Sequence, residues 1–524
     1  MQNSATKPPS LTPLIVGLFG LIVAFHLGNA LAGKSLIRAS HLGTALEYAR
    51  GNINLLRPVI VGFTATESPT ALELPLWQAA VALGFKITGS TWYGWANLIS
   101  LLFFATGLWP FFQLAKHYVG ARAAGWSLAF LLAQPLIVIM AGKAATDGFC
   151  LALMIWFLFC VDRMIRSAQW QWWIPTAGFA CLSALSKLPF FMAAGLAGMA
   201  ILLLHNFRSA RAWFMLTTVG AVATGAFFIW SRHCDLLSAQ AEFPYMELRI
   251  SKSPFIAFWY FGDLHLRLSP AFWIKGGWRF LIATLGSLPL VAVLLAGFFS
   301  AGNRLPKLWL LATFLTVLVF TNLVLTHWHY YLMCCPAVAM LCGVTAARWE
   351  EGWTGKILRP QFGIALVALA FIGSAVEGIV AMKPALEYDS FPREMSALIR
   401  QYTRPEDKLL LYKCDPEWPG EVLFRSGRKG LYVSVVEGSP DGPTPNGLVE
   451  LLDREVNLNR LRSLGYTKLV LMNESPVRFA VETMNPNRQQ KRVYYPATIS
   501  AKVDAWPVVY RSEDMLIKEI PAAP

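Results

Sequence analysis

The sequence predicts a polytopic α-helical membrane protein with a smaller α/β domain at its C-terminal end. Three observations lead to this fold class. The 524 residues are 55% hydrophobic and only 15% charged, with a mean hydropathy of +0.47, whereas soluble domains average about 25% charged residues. Long apolar runs follow one another as far as residue 382. From residue 384 onward hydrophobicity falls and acidic residues become common.

The apolar runs define about eleven candidate spans, because a helix needs about 20 mostly apolar residues to cross a bilayer. The first run follows a short tail and lacks a convincing cleavage site, so we expect a retained anchor rather than a removed signal peptide. Lys187-Leu-Pro189 interrupts what would otherwise be one long run over 172–206. The candidate spans lie near residues 12–32, 92–115, 123–142, 148–166, 172–186, 188–206, 212–231, 278–299, 308–327, 330–348 and 361–382.

Basic residues on alternate turns orient the chain in the membrane. By the positive-inside rule these turns face the cytoplasm, which places the N-terminus inside and the C-terminus outside. The first outer loop also contains basic residues, but long loops follow the rule weakly. The inner turns contain Lys7, Lys116, Arg122, Arg163, Arg166, Arg208, Arg211, Arg304, Lys307, Arg348, Lys356 and Arg359.

This orientation predicts two domains. The first is a membrane domain over residues 1–383, with outer loops at 33–91 and 232–277. The second, 384–524, mixes helical and strand-like stretches separated by turn residues, and its roughly 140 residues are enough for a core of its own. Helices are predicted at 391–402 and 449–464, and strands at 408–412, 431–436 and 468–472.

The net charge of +14 would raise the question of nucleic-acid binding in a soluble protein. Here the basic residues concentrate in short loops between apolar runs, so attraction to anionic membrane lipids explains the charge and we expect no nucleic-acid partner. The eight cysteines show no metal-ligand spacing. Cys234 and Cys414 fall in predicted outer segments, and whether they pair is left open.

The acidic residues of the N-terminal part gather in one place. The first 146 residues contain no aspartate, and their only glutamates are Glu47, Glu67 and Glu73, all between the first span and the next. Pro75 stiffens the chain after Glu73 and would fix the direction of its carboxylate. The alternative is a solvated loop acid, which is also the simpler interpretation of Glu47 beside Arg50. We interpret this segment as one wall of an active site at the outer membrane face.

Three further polar positions lie at predicted outer ends of spans. Asp147 either complements the dipole of a helix that begins there or is a catalytic or metal-binding carboxylate. Lys187 is either a lysine that extends its amine to the interface or a cation that receives an anionic headgroup. The aromatic cluster 327–331 is typical of a membrane-interface belt, from which His329 could reach a phosphate.

The layout resembles the C-type membrane glycosyltransferases that use polyprenyl-phosphate sugars, and more narrowly the branch with protein O-mannosyltransferases and the lipid A aminoarabinose transferase. Glu73-Leu-Pro-Leu76-Trp-Gln78 resembles the acid–proline stretch that ends the first outer loop of that family. Asp147 within 141–151 is similar to its acid after the third span. Ser186-Lys187-Leu-Pro189 resembles its lysine–proline element, and His329-Tyr330-Tyr331 followed by Pro336 resembles its HxYYxxxxxP-like segment.

One feature departs from that family. Its members usually have an aspartate, often as Asp-Glu, soon after the first span, and that aspartate is the leading candidate for the catalytic base. The corresponding region here, 36–48, contains no aspartate. His41 or Glu47 would therefore take the role of base. A non-catalytic assembly partner built on the same scaffold is the alternative that this departure favours.

The resemblance implies an inverting transfer of a sugar from a polyprenyl-phosphate donor, such as an undecaprenyl phosphate sugar, to a lipid, glycan or protein acceptor. It places the reaction at the periplasmic face of the bacterial inner membrane. Mg²⁺ or Mn²⁺ would bind Glu73 and Asp147, with Glu67 as a further ligand. The donor phosphate would contact Lys187, Arg38, His329 and Tyr330.

A transporter or flippase of an amphipathic anion is the alternative from another class. Such a protein would show inverted repeats, or paired broken helices with polar residues at mid-membrane depth. The sequence shows no repeat, and its acids gather at one predicted face. We therefore prefer the transferase.

Overall fold

The computed structural model describes most of the chain in two compact units. Unit 1 comprises Met1–Gly33, Asn97–Phe227 and Trp259–Met382, and unit 2 comprises Lys34–Ala96, Phe228–Phe258 and Lys383–Pro524. The described residues are 10–34, 37–66, 68–243, 252–300, 302, 304–351, 367–377, 380, 390–413, 421–434, 452, 454–472, 502–512 and 515–522.

Helices make up almost all of the described chain before residue 402. In order they are α1 Thr12–Leu31, α2 Ala39–Arg50, α3 Leu76–Thr88, α4 Gly94–Val119, α5 Ala121–Ala133, α6 Pro135–Met140, α7 Asp147–Ser167, α8 Trp173–Ser186, α9 Leu188–His205, α10 Ala210–Ser238, α11 Pro254–Phe261, α12 Leu264–Leu268, α13 Pro270–Phe280, α14 Leu288–Phe299, α15 Arg304–Val319, α16 Thr321–Thr326, α17 Cys335–Glu350, α18 Val367–Glu377 and α19 Ser390–Tyr402. A 3₁₀ segment, Trp328–Cys334, leads directly into α17.

The chain is a multi-pass membrane protein, as predicted, but its continuous helices are fewer than the predicted spans. Six described helical segments are long and apolar enough to cross a membrane, or seven if the bent pair Pro270–Leu285 and Leu288–Phe299 is one span. The predicted span 123–142 divides because Gln134 is extended and Pro135 begins α6, and proline has no N–H to continue the preceding helix. The predicted span 308–327 divides between α15 and α16.

Close helix packing forms the interior of unit 1. α17 lies against α5, and Gly343 of α17 faces the backbone of α5. A Cβ atom at Gly343 would lie 2.5 Å from the carbonyl oxygen of Ala123, so only glycine permits this approach. Small residues at helix contacts are typical of membrane proteins, where close van der Waals packing replaces the hydrophobic effect.

A five-stranded mixed sheet lies in unit 2, which confirms the α/β character predicted for the C-terminal region. Its order is β2-β1-β3-β5-β4. β2 and β3 flank β1 in parallel, and β5 pairs antiparallel with β3 and β4. Sequence patterns indicated the first three strands but not β4 or β5. The elements are β1 Lys408–Lys413, α20 Glu421–Ser426, β2 Lys429–Ser434, α21 Glu455–Ser463, β3 Tyr466–Met472, β4 Val508–Arg511 and β5 Met515–Glu519.

The first outer loop joins this sheet within unit 2. Tyr432 of β2 donates its backbone N–H to the carbonyl of Gly62 at 2.9 Å. The hydroxyl of Tyr466 donates to the carbonyl of Ala65 at 3.0 Å, and Ala65 is buried in the same apolar cluster as Leu410 of β1. These contacts anchor the loop that contains α2 and α3 to the sheet.

Candidate active site

Asp147 and Lys187 form a buried ion pair in unit 1. The Lys187 amine donates to Oδ1 of Asp147, and the two side chains are 1% and 2% exposed, respectively. Removing both charges from water costs several kcal/mol per ion, which only close pairing and further polar contacts offset. A chain this apolar therefore retains the pair at a considerable energetic cost.

Local sequence places both members of the pair at helix ends. Asp147 is the first residue of α7, where its carboxylate also complements the helix dipole. The segment before it, 141–146, is not helical, and the Asn97 side-chain amide donates to the Gly142 carbonyl within it at 2.6 Å. Lys187 is extended (φ −156°, ψ 104°) between α8 and α9, and Pro189 occupies the first turn of α9. The dipole and ion-pair roles of Asp147 therefore coexist.

His329 and Tyr330 lie beside this pair. Nε2 of His329 is 4.0 Å from Oδ1 of Asp147. The Lys187 amine lies 5.2 Å from the centre of the Tyr330 ring, within the range of a cation–π interaction. The 3₁₀ segment Trp328–Cys334 directs both aromatic residues to this point. Unit 1 thus brings together four of the predicted site residues, two of them potential cations.

A second group of predicted residues meets in unit 2. Nε2 of His41, in the first turn of α2, lies 3.9 Å from Oε2 of Glu73, just before α3. The fully buried Trp77 of α3 packs beside the imidazole, with ring centres 6.0 Å apart. A carboxylate at this distance stabilises an imidazolium ion. The pair therefore has the composition of a base and the group that orients it.

The remaining predicted residues have other surroundings. Glu47 pairs with Arg50 at 3.1 Å on the same helix, as the simpler interpretation expected, and not with His41 or Glu73. Arg38 is half-buried immediately before α2. Glu67 lies outside the described residues, as does Cys414.

The predicted magnesium or manganese site on Glu73, Asp147 and Glu67 has no support in the described contacts. The carboxylate of Asp147 already has the Lys187 ammonium as its counter-charge. Among the described residues, the group of three or more metal-ligand side chains that converges does not include Asp147 or Glu73. The metal-binding role of these acids therefore stays a prediction.

Comparison with solved structures identifies the fold. The chain is similar to ArnT from Cupriavidus metallidurans bound to undecaprenyl phosphate, with 15% identity, a TM-score of 0.60, and coverage of 97% of this chain and 98% of that one. The apo form of the same protein matches equally well, with 15% identity, a TM-score of 0.60 and coverage of 97% and 99%. The predicted resemblance to the C-type membrane glycosyltransferases is confirmed at the level of the fold.

A more distant similarity is to the oligosaccharyltransferase of Archaeoglobus fulgidus in complex with Zn and sulfate. The identity is 11%, the TM-score 0.51, and the match covers 88% of this chain and 68% of that one. No protein-family model and no curated protein matches the sequence.

Sequence reasoning named these residues but missed the contacts that the fold makes between them. Trp77 was part of a recognised motif, but its contact with His41 depends on how α2 packs against α3. The ion pair of Asp147 with Lys187 joins residues 40 positions apart. Both residues stood out in the sequence as isolated charges at the ends of apolar helices. An isolated charge in such a setting indicates that the fold supplies a partner of opposite charge.

Proposed function

We propose that this protein transfers a sugar from a polyprenyl-phosphate donor to an acceptor at the outer face of a bacterial inner membrane. The observation that carries the proposal is the fold match over 97% of the chain to a protein whose structure contains undecaprenyl phosphate. The buried Asp147–Lys187 pair supports it, because an apolar helix bundle does not need such a pair to pack.

The reaction is a single inverting displacement at the anomeric carbon. An acceptor hydroxyl or amine forms the new bond, and the bond from the anomeric carbon to the phosphate oxygen breaks. The electron pair of that bond leaves with the polyprenyl phosphate. The reaction thus requires a base for the acceptor proton and positive charge for the departing phosphate.

We assign the base to His41. Its imidazole accepts the acceptor proton, and Glu73, 3.9 Å away, stabilises the imidazolium that forms. Trp77 packs against the ring and limits its rotation. This assignment gives the protein a catalytic base although its first outer loop contains no aspartate. Glu47 is the weaker candidate because Arg50 already neutralises its carboxylate.

We assign recognition of the phosphate to Lys187, with His329 and Tyr330. An ammonium ion in a buried setting stabilises the phosphate charge more strongly than it would in water. Asp147 holds Lys187 in position and is a positioning residue in this scheme. Arg38 of unit 2 is a further candidate cation for the donor.

The assay is sugar transfer by the purified protein in detergent, with labelled polyprenyl-phosphate mannose, glucose or aminoarabinose as donors. Wild type is compared with Lys187→Met, His41→Ala and Glu73→Gln, each with and without EDTA. His265→Ala, at an exposed position with no role in the proposed reaction, is the control. We expect donor consumption that Lys187→Met abolishes and His265→Ala leaves intact.

Two results would contradict the proposal. If the wild type binds a donor but moves it across vesicles without consuming it, the protein is a transporter. If no donor binds under any condition, the fold serves a non-catalytic partner. EDTA tests separately whether transfer needs any metal ion, because a metal-dependent transfer would stop on chelation in every active variant.

A further inference from the structure

A second cluster of chemistry-bearing side chains lies in unit 1. His117, Asp162 and His205 each offer one ligand atom, and these atoms lie within 4.8 Å of one another. Within the part of the chain that the structure describes, no other group of three or more His, Cys, Asp or Glu side chains converges so closely. The proposed transfer reaction uses none of the three.

The three residues come from the C-terminal ends of three different helices. His117 lies in the last turn of α4, His205 ends α9, and Asp162 lies near the end of α7. Free carbonyl groups at a helix C-terminus favour a nearby cation. Asp147 begins α7 at the other end, about 22 Å away at 1.5 Å per residue. Within unit 1, the cluster therefore lies at the opposite end of α7 from the Asp147–Lys187 pair.

Asp162 is buried, and its present partner is a cation. Nε and Nη2 of Arg166 donate to its two oxygens at 2.9 and 2.5 Å. The Tyr118 hydroxyl donates to Oδ1 at 2.8 Å and lies 3.0 Å from Nε2 of His205. Nη1 of Arg166 is 3.5 Å from Nδ1 of His117. The arginine thus contacts two of the three ligand groups, Asp162 and His117, and Tyr118 bridges Asp162 and His205.

Arg166 is far more exposed than the carboxylate that it neutralises. Its side chain is 30% exposed, whereas that of Asp162 is 2% exposed. Its guanidinium can turn into solvent at the end of α7, but the buried carboxylate would then need another cation, because an unpaired buried charge is costly. A divalent ion between the same three groups supplies that charge.

The ligand atoms of these three side chains indicate which metal ion the cluster would bind. Two imidazole nitrogens and one carboxylate oxygen suit Zn²⁺ and similar borderline ions, whereas Mg²⁺ and Ca²⁺ prefer oxygen ligands. We propose that His117, Asp162 and His205 bind Zn²⁺, or an ion of the same class, in exchange for Arg166. Three protein ligands leave a fourth position for water. The bound ion links the ends of α4, α7 and α9.

The test is metal binding by the full chain in detergent, purified through a tag without histidine and stripped of metal. Titration with Co²⁺ reports tetrahedral nitrogen–oxygen coordination through its visible absorption, and Zn²⁺ competition gives the affinity. We expect one equivalent bound, with affinity lowered about tenfold or more in His117→Ala and His205→Ala. The exposed His265→Ala is the matched control and keeps wild-type affinity.

Arg166→Gln separates a metal site from an ordinary ion pair. If the arginine competes with the ion, its removal raises Zn²⁺ affinity about tenfold or more, and Zn²⁺ raises the Tm of Arg166→Gln more than that of the wild type. The proposal is overturned if no single equivalent binds, if the two histidine variants bind as the wild type does, or if Arg166→Gln gains no affinity. These readouts do not depend on sugar transfer, so the two proposals fail separately.

Discussion

Lys187 and Asp147 illustrate the free-energy cost of burying charges in an apolar interior and the stabilisation that their pairing provides. Each alone would be an uncompensated buried charge, and together they offset much of that cost. A pair of well-packed apolar residues of similar size would often be as stable or more so. Retaining charges here therefore indicates a role beyond stability.

Lys187→Met leaves the carboxylate of Asp147 without its ammonium partner. We expect a loss of about 3–5 kcal/mol in the free energy of unfolding together with the loss of transfer. Thermal melts in detergent measure the first and the donor-consumption assay the second.

The double variant Asp147→Asn/Lys187→Met separates these two effects. It removes both charges, so the Tm should recover most of what Lys187→Met loses, whereas transfer should stay absent. Recovered transfer in the double variant would show that the pair serves stability alone. Glu350→Gln breaks the half-buried pair with Arg122 in unit 1 and serves as a control for loss of an unrelated ion pair.

His41→Ala removes the proposed base without removing donor-binding groups. We expect kcat to fall by a factor of about 10²–10⁴, the usual contribution of general base catalysis, with donor affinity unchanged. Glu73→Gln should lower kcat less, because the imidazole remains. If His41→Ala and the wild type have equal kcat, His41 is not the base. Glu47→Gln is then the next variant to assay.

At the scale of elements, β5 depends on a buried lysine. Lys518 is 1% exposed, and its amine donates to the carbonyls of Val503, Asp504 and Trp506 at 2.7, 3.1 and 3.4 Å. These carbonyls belong to the turn of chain before β4. One side chain thus fixes β5 to the segment that precedes β4.

Lys518→Met keeps the length of the side chain but leaves three carbonyls without their charged donor. We expect a loss of about 2–3 kcal/mol in the free energy of unfolding, measured as a lower Tm of the full chain. Lys468→Met is the matched control on the neighbouring strand, since Lys468 pairs with the exposed Glu519 at 3.2 Å. An equal effect of both variants would contradict the specific role of Lys518.

At the scale of the whole molecule, unit 2 is assembled from three separate stretches of chain. Glu242, in the second of them, pairs with Arg460 of α21 at 2.6 and 3.0 Å. The Arg460 guanidinium lowers the pKa of Glu242 below its ordinary value. The pair therefore links the second and third stretches through a titratable contact.

Because the folded-state pKa of Glu242 is lowered, its contribution to stability is complete above the ordinary glutamate pKa of about 4.3. That contribution disappears as the pH falls through the lower folded-state value. We expect Glu242→Gln to lower the Tm slightly at pH 7 and to match the wild type in strong acid. High salt should reduce the difference, because the pair is exposed. A difference that grows in acid would contradict this assignment.

The orientation of the chain in the membrane is a further whole-molecule prediction. A cysteine at exposed Glu406 should react with a membrane-impermeant maleimide in intact cells, because the predicted orientation places the C-terminal region outside. A cysteine at exposed Arg208 should react only after the cells are opened. The wild-type protein measures the background labelling of the native cysteines. Six of these are buried, namely Cys150, Cys160, Cys234, Cys334, Cys335 and Cys342. The reverse labelling pattern would invert the proposed topology.

Local properties of the sequence determined the class of protein and many element boundaries. Apolar length and low charge identified the membrane-spanning character, because lipid leaves a helix few alternatives. Lys187-Leu-Pro189 marked the break between α8 and α9, since proline cannot continue a preceding helix. Short apolar, strand-like runs indicated β1, β2 and β3. The division of the predicted span 123–142 into two short helices at Gln134 was missed. Composition shows the length of an apolar run but not whether the helix is continuous along it.

Tertiary structure decided which polar residues meet. Asp147 and Lys187 each had a local explanation, and only the packing of α7 against α8 and α9 makes them partners. The same holds for His41 with Glu73, and for the convergence of His117, Asp162 and His205 at three helix ends. Local patterns follow from backbone geometry and solvent, which act on neighbouring residues. Contacts between distant residues depend on how helices pack, and this chain has no sequence repeat that would reveal them.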